Sequence, residues 1–232
     1  MSLKGDSVLV RRIQLPKMTP EELKNAIRFE AENQIPFPID DCFMDFQILD
    51  AMDEKSMAVL LAVAKKETVL QRLELLKAVG VSVELVDLDL CCLVNAAQIL
   101  LSGEMPDGFG LLHIGRQSSL LVIMRKGFPH FMREIMIGET ARDELAAELK
   151  QSVDYFESEN GEEVKSIFLS GGGALAAGAA EQLSHALGRP AALWDATKKI
   201  ELADTVDAEF FKAHAAEWTL ALGLAARKVI KP

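Results

Sequence analysis

The chain has 232 residues, half of them hydrophobic, with 35 Asp and Glu against 25 Lys and Arg and a formal net charge of −10. That length and apolar content suit one large domain or two small ones around a buried core. The acidic balance argues against a nucleic-acid partner and against tight docking on anionic lipid, since both need a basic face; the longest apolar run, residues 57–64, falls well short of a membrane span and suits a buried strand.

Residues 8–15 predict a strand. A helix follows with a well-marked start: Thr19 as N-cap, Pro20 at the first helical position and Glu22 closing a capping box. Leu23, Ala26, Ile27 and Glu30 share a stripe, so most of that face is core-directed. Pro36 disfavours helical geometry at Ile35, and Ile35-Pro36-Phe37-Pro38 then makes a stiff, extended bend. Residues 42–49 and 57–65 predict strands joined by an acidic turn over 50–55. Residues 67–79 predict an amphipathic helix with Val69, Leu70, Leu73 and Leu76 inward and Gly80 as its left-handed end. Residues 7–80 therefore read β-α-β-β-α, a compact α+β module.

Residues 81–89 predict another strand, feeding an apolar helix over 90–101. The polar stretch 103–108, with Pro106, is the best boundary in the chain, and a division is expected near Ser102–Gly108. Strands at 109–114, 120–125 and 131–137 follow closely, with Gly115 and Gly127 in the turns, so an antiparallel meander is expected. Residues 139–157 predict a helix with Leu145, Leu149, Val153 and Phe156 on one face. Next come a buried strand over 164–169, the cluster Gly171-Gly172-Gly173 opening a helix over 174–187, a short strand over 191–194, and a closing helix over 210–228 containing Trp218.

Chemistry-bearing groups are few. Cys42 and the adjacent Cys91 and Cys92 form no Cys-x-x-Cys pair, and with four His a zinc site is not expected. Buried, inert thiols in a reducing compartment fit better. Met1–Asp6 lacks the apolar stretch of a secretory leader, which also points to the cytoplasm. Two glycine-bearing loops stand out: His113-Ile114-Gly115-Arg116-Gln117-Ser118-Ser119 at the first hairpin turn, and Ser170-Gly171-Gly172-Gly173-Ala174 between a strand and a helix. Glycine lets backbone approach a phosphate, and a helix N-terminus offers free N–H groups. No Gly-Lys-Ser/Thr follows either loop, so neither is a P-loop. The second fits a loose Gly-x-Gly-x-x-Ala pattern with Asp195 downstream, but it comes too late in the chain for a dinucleotide fold. A close-packing turn and a present or former nucleotide loop both remain open for it. Trp194, at a strand end, could pack in the core or rest near a base.

These loops, with three further segments, carry a resemblance. Val8-Leu9-Val10-Arg11-Arg12-Ile13-Gln14-Leu15-Pro16, Phe29-Glu30-Ala31-Glu32 with Ile35-Pro36-Phe37-Pro38, Val153-Asp154-Tyr155-Phe156, and Ser170-Gly171-Gly172-Gly173-Ala174 occur in the order found in the PilM family of type IV pilus assembly. The resemblance covers nearly the whole chain, and the Ile-Pro-Phe-Pro segment after an acidic helix is its most specific part. It implies an α/β, actin-like (ribonuclease H-like) ATPase fold with a small inserted β-α-β-β-α module at 7–80, a remnant of the first actin-like subdomain at 81–104, and the second subdomain at 109–232. It further implies a nucleotide site at His113, Gly115, Ser118, Ser119, Ser170, Gly171, Gly172 and Gly173. The implied partner is the cytoplasmic tail of a bitopic inner-membrane protein, PilN-like, held in a groove that includes Ile35 and Phe37. The chain would then be cytoplasmic and peripheral at the inner membrane through that partner, with no direct membrane insertion.

Three departures from the family pattern bear on nucleotide chemistry. The family's opening Asp-x-Gly turn is absent, and because Met1-Ser2-Leu3 reads as an expression leader, a cloning boundary could account for that absence. The family's acidic residue in the later phosphate turn aligns with His113, and a neutral imidazole cannot hold a magnesium-bound water as a carboxylate does; His113 reads instead as a strand residue bonded to its neighbours. Between Gly138 and Val153 the family's long helical insertion is replaced by one helix. Together these lead to a docking scaffold with degenerate nucleotide binding and no cofactor, ATP and magnesium being possible only with the missing N-terminal segment. The alternatives are an active ATP-binding protein of this family and the actin-like cytoplasmic domain of a type II secretion protein.

Overall fold

The computed structural model describes residues 1–51, 55–100 and 107–227. The chain forms two compact units, Met1–Leu88 and Asp89–Lys231. They part ahead of the stretch Ser102–Gly108, most of which lies outside the described residues.

The first unit contains β1 (Ser2–Leu3), β2 (Val8–Pro16), α1 (Pro20–Glu32), β3 (Cys42–Ala51), β4 (Ser56–Lys65), α2 (Lys66–Ala78) and β5 (Asp87–Leu88). Strands β2, β4 and β3 form an antiparallel sheet in the order β2-β4-β3, with a register shift between Ile48 and Asp50. Helix α1 starts where the sequence predicts. Thr19 Oγ1 accepts from Glu22 N at 3.2 Å, and Glu22 Oε2 accepts from Thr19 N at 2.7 Å. The Thr19 N–H bond, and after it the Thr19 hydroxyl donating to Glu22 Oε2 at 2.9 Å, hold the Glu22 carboxyl below its ordinary range. Leu23, Ile27 and Ala31 of α1 are buried against Ile13, Leu15, Val59, Leu61 and Val63 of the sheet.

Two readings of this unit need correction. Of the predicted inward stripe on α2, Val69 is buried and Leu73 and Leu76 are half-buried, but Leu70 is 49% exposed. The predicted strand over 81–89 shrinks to β5, because only Ser2 and Leu3 are there to pair with it, in parallel. The N-terminal ammonium donates to Leu85 O at 2.8 Å, and Asp87 N donates to Met1 O. Gly80 closes α2 at φ 78°, as predicted.

The second unit contains α3 (Asp89–Leu100), β6 (Phe109–Ile114), β7 (Ser119–Arg125), β8 (Phe128–Ile135), α4 (Arg142–Asn160), β9 (Ser166–Ser170), α5 (Ala179–Leu187), β10 (Ala191–Leu193), α6 (Ala208–Ala213) and α7 (Thr219–Ala226). Its sheet runs β10-β9-β6-β7-β8, the meander antiparallel and β9 and β10 parallel. Strand alternation splits the apolar residues between two faces. Leu112, Ile114, Leu121 and Ile123 meet Leu145, Leu149, Val153 and Phe156 of α4 and Leu183 of α5. Leu111, Leu120 and Val122 meet Leu93, Ala96 and Ala97 of α3 together with Trp194. Helix α7 lies on α3 so closely that a Cβ at Gly223 would overlap the Cys92 carbonyl.

The glycine cluster does not open a long helix. Gly172–Leu175 forms a short 3-10 turn, and α5 starts after Gly178, which is left-handed at φ 75°. The predicted closing helix is broken in two. Asp207 caps α6 by accepting from Glu209 N and Phe210 N, the chain then turns back, and Trp218 stacks on Phe211 at 5.4 Å and donates Nε1–H to the Phe211 carbonyl.

Candidate functional site

The two glycine loops come together because β9 lies beside β6 in parallel register, His113 opposite Ser170. His113 is half-buried, and its Nδ1 stands 3.1 Å from Ser170 Oγ. Beyond Ile114, Gly115 N donates to Ser118 O at 3.1 Å, and Glu139 N donates to Gly115 O at 3.0 Å. Gly171, at φ 86°, sits against the Ile114 backbone, where a Cβ would come within 2.4 Å of the carbonyl oxygen. A Cβ on Gly173 would meet Ile114 Cγ2 at 2.4 Å and Glu139 Cβ at 2.8 Å. Gly172 is open: a Cβ there meets only the Glu217 carboxylate, at 3.8 Å. Two of the three glycines are thus demanded by packing against the first loop.

The hydroxyls of the first loop point inward. Ser118 Oγ donates to Glu134 Oε1 at 2.8 Å, and Ser119 Oγ donates to the Ile137 carbonyl at 2.8 Å. Ser118, Ser119 and Ser170 are all buried. Gly171 N is bonded to Ala216 O. The loops therefore spend these donors within the protein, and Glu134 and Glu217 place carboxylates beside them. A carboxylate next to a phosphate loop repels the ligand unless a cation intervenes. None of these acids had a local sequence signal: Glu134 reaches Ser118 only through the β7–β8 register, and Glu217 arrives from the C-terminal turn. Asp195 accepts from Thr197 N and Oγ1, so it caps its own turn. Trp194 is buried in the core with α3.

In the first unit, Ile35 and Phe37 are half-buried and pack against the core beneath α1. Lys65 Nζ stands 4.7 Å from the Phe37 ring centroid, and Lys66 Nζ stands 5.9 Å from that of Phe43 while donating to the Asp40 carbonyl at 2.6 Å. Arg28 pairs with Asp40 across the bend. The Cys42 thiol donates to Pro38 O, and burial pushes its pKa up, so it is a poor nucleophile. Sequence reading missed Phe29 and Phe43, which are 69% and 46% exposed; an apolar residue on an amphipathic element looks like core until the packing is known.

The mixed sheet, its crossing helices and the paired loops define the class: this is an actin-like ATPase fold. A Bacteroides thetaiotaomicron protein described as having that fold and unknown function aligns at TM-score 0.50 and 11% identity, over 79% of this chain and 65% of its own. The cytoplasmic domain of EpsL, an inner-membrane component of the type II secretion system of Vibrio cholerae, aligns at TM-score 0.52 and 14% identity over 97% and 72%, a likeness of fold. Within that class, residues 1–144 and 139–229 match the model of the type IV pilus assembly protein PilM, and the chain belongs to that family. A chain of a PilM–PilN type IV pilus biogenesis complex is 26% identical, covering 99% of this chain and 79% of its own, at TM-score 0.87. No helix among the described residues is long and apolar enough to cross a membrane.

Proposed function

We propose that this PilM-family chain is a docking component of type IV pilus assembly that receives the cytoplasmic tail of a PilN-like inner-membrane protein, and that its nucleotide site is degenerate. It would lie at the cytoplasmic face of the inner membrane, held there by that partner. The observation that carries the docking reading is the 26% identity, along 99% of this chain, to a chain of a PilM–PilN type IV pilus biogenesis complex. The loss of nucleotide chemistry is supported by His113 in the phosphate turn, by the inward bonds of Ser118 and Ser119, and by the carboxylates of Glu134 and Glu217 beside the loops. The two stretches of the family match meet at residues 139–144, where the resemblance calls for a helical insertion and the chain passes straight into α4.

The groove assignment at Ile35 and Phe37 is tested by co-elution of the chain with a carrier protein fused to a PilN-like tail. The wild-type chain should co-elute and Phe37→Ala should not, while the variant's circular dichroism stays that of a folded protein. A folded Phe37→Ala variant that co-elutes as wild type removes this segment from the interface.

A further inference from the structure

We propose that Asn160, at the end of α4, is a covalent modification site: a spontaneous deamidation whose rate is set by the cap of that helix. Of the four Asn in the chain, Asn25, Asn33, Asn95 and Asn160, only Asn160 precedes a glycine. A glycine there leaves the following backbone nitrogen uncrowded, and no atom lies within 4 Å of where a Cβ on Gly161 would stand. Both residues are exposed. The reaction balances without oxidant or reductant. The Gly161 nitrogen attacks Asn160 Cγ and gives up its proton. The Cγ–Nδ2 bond breaks, and Nδ2 leaves with that proton as ammonia. Water then opens the five-membered succinimide at either carbonyl, giving Asp or, with the backbone rerouted through the side chain, isoaspartate.

The fold holds this reaction back. Gly161 N donates to the Glu157 carbonyl at 2.8 Å, with Gly161 left-handed at φ 66°, so the nucleophile is turned back along the helix and away from Asn160 Cγ. Asn160 Nδ2 donates to the Phe156 carbonyl at 2.7 Å, which holds the leaving amide. The link to β9 is pinned just beyond. Val164 is buried and its N–H donates to Glu157 Oε1 at 2.7 Å, while Arg189 pairs with Glu157 and donates to the Val164 carbonyl at 2.6 Å. Ring closure therefore needs the last turn of α4 to open, and helix ends are among the parts of a fold that open most readily. Where reclosing is fast, the rate is that of an unfolded peptide multiplied by the open fraction. Two hydrogen bonds of ordinary net strength make that fraction roughly one part in ten to one in thirty. The product works against the cap. The donor to Phe156 is lost, and a negative charge stands at a helix C-terminus, the unfavourable end for it, with Glu157, Glu159, Glu162 and Glu163 close in sequence. The change is one-way, so it marks chains whose α4 cap has opened.

Peptide mapping by mass spectrometry tests this by following deamidation at Asn160 in the folded chain, in the folded Glu157→Gln variant and in a synthetic peptide of residues 156–164, at one pH and below the melting transition. The map separates this site from Asp107-Gly108, whose isomerisation leaves the mass unchanged. The synthetic peptide should convert fastest, and the wild-type chain at least about tenfold more slowly. Glu157→Gln releases the Arg189 pair and loosens the hold on Val164 while keeping the backbone carbonyl, so it should convert at least about threefold faster than wild type. Equal rates in the chain and the peptide overturn the inference, because the cap then controls nothing. Equal rates in wild type and Glu157→Gln, or no conversion in either, overturn it as well. Asn160→Asp, one of the two products made directly, should melt below the wild type; an unchanged Tm overturns the claim that the product weakens the cap.

Discussion

The three glycines at 171–173 should differ sharply in what they tolerate, and the structure orders them. Gly171→Ala places a side chain at φ 86°, ψ 164°, a region essentially reserved for glycine, at a cost of about 1–3 kcal/mol. It also drives the new Cβ to 2.4 Å from the Ile114 carbonyl oxygen, which is fixed in β6. Overpacking of that kind costs about 1–3 kcal/mol more. The sum, roughly 3 kcal/mol or more, should lower Tm by about 10 °C. Gly173→Ala has no strained φ but meets Ile114 and Glu139, so about 1–3 kcal/mol is expected. Gly172→Ala meets nothing nearer than 3.8 Å, and its effect should lie between neutral and about 1 kcal/mol stabilising through the unfolded chain. Thermal melts of the three variants read this directly. Equal destabilisation at all three positions would refute the idea that the cluster is there for close packing on the first loop.

The remaining predictions concern single contacts. Phe37→Ala removes a half-buried ring and its contact with Lys65, so the first unit should lose about 2 kcal/mol without unfolding, measured by urea titration; a loss above about 4 kcal/mol would make Phe37 a core residue and nothing else. Glu157→Gln breaks the ion pair with Arg189, whose guanidinium bond is the main reason the Glu157 carboxyl titrates below its usual range, followed by the Val164 N–H bond at 2.7 Å. A depressed carboxyl contributes stability that is full above its unfolded value and lost as pH falls through the folded one. The variant should therefore be about 1–2 kcal/mol less stable at neutral pH, with the gap closing in acid; a gap that does not change with pH would contradict it.

How far each element could be read depended on how local its causes are. The start of helix α1 and its inward Leu23 and Ile27 were legible because Thr19, Pro20, Glu22 and the apolar period are signals within the helix itself, while Ala31, also buried, lay outside the stripe as read. The α4 face from Leu145 to Phe156 was legible for the same reason. In helix α2 the period placed Val69, Leu73 and Leu76 inward correctly and misplaced only Leu70, at the edge of the stripe. Residues 81–86 carry strand-forming valines, but a strand needs a partner, and β1 supplies only two residues. The single helix predicted over 210–228 is interrupted by a turn at 214–218, where Trp218 stacks on Phe211, a contact that no helical period reports. At the loops, glycine and serine were visible as candidate phosphate contacts. What the sequence could not display was where the serines would point, because Glu134 and the Ile137 carbonyl reach them only through the folded meander.

The central claim, a docking protein that no longer handles nucleotide, is tested most directly by calorimetric titration of one sample with two ligands: a synthetic PilN-like cytoplasmic tail, and ATP with magnesium. The account predicts saturable tail binding at low-micromolar Kd, about −8 kcal/mol, and no saturable heat from ATP at protein near 100 micromolar, a limit of about 5 to 6 kcal/mol. Low-micromolar ATP binding together with no heat from the tail would contradict it.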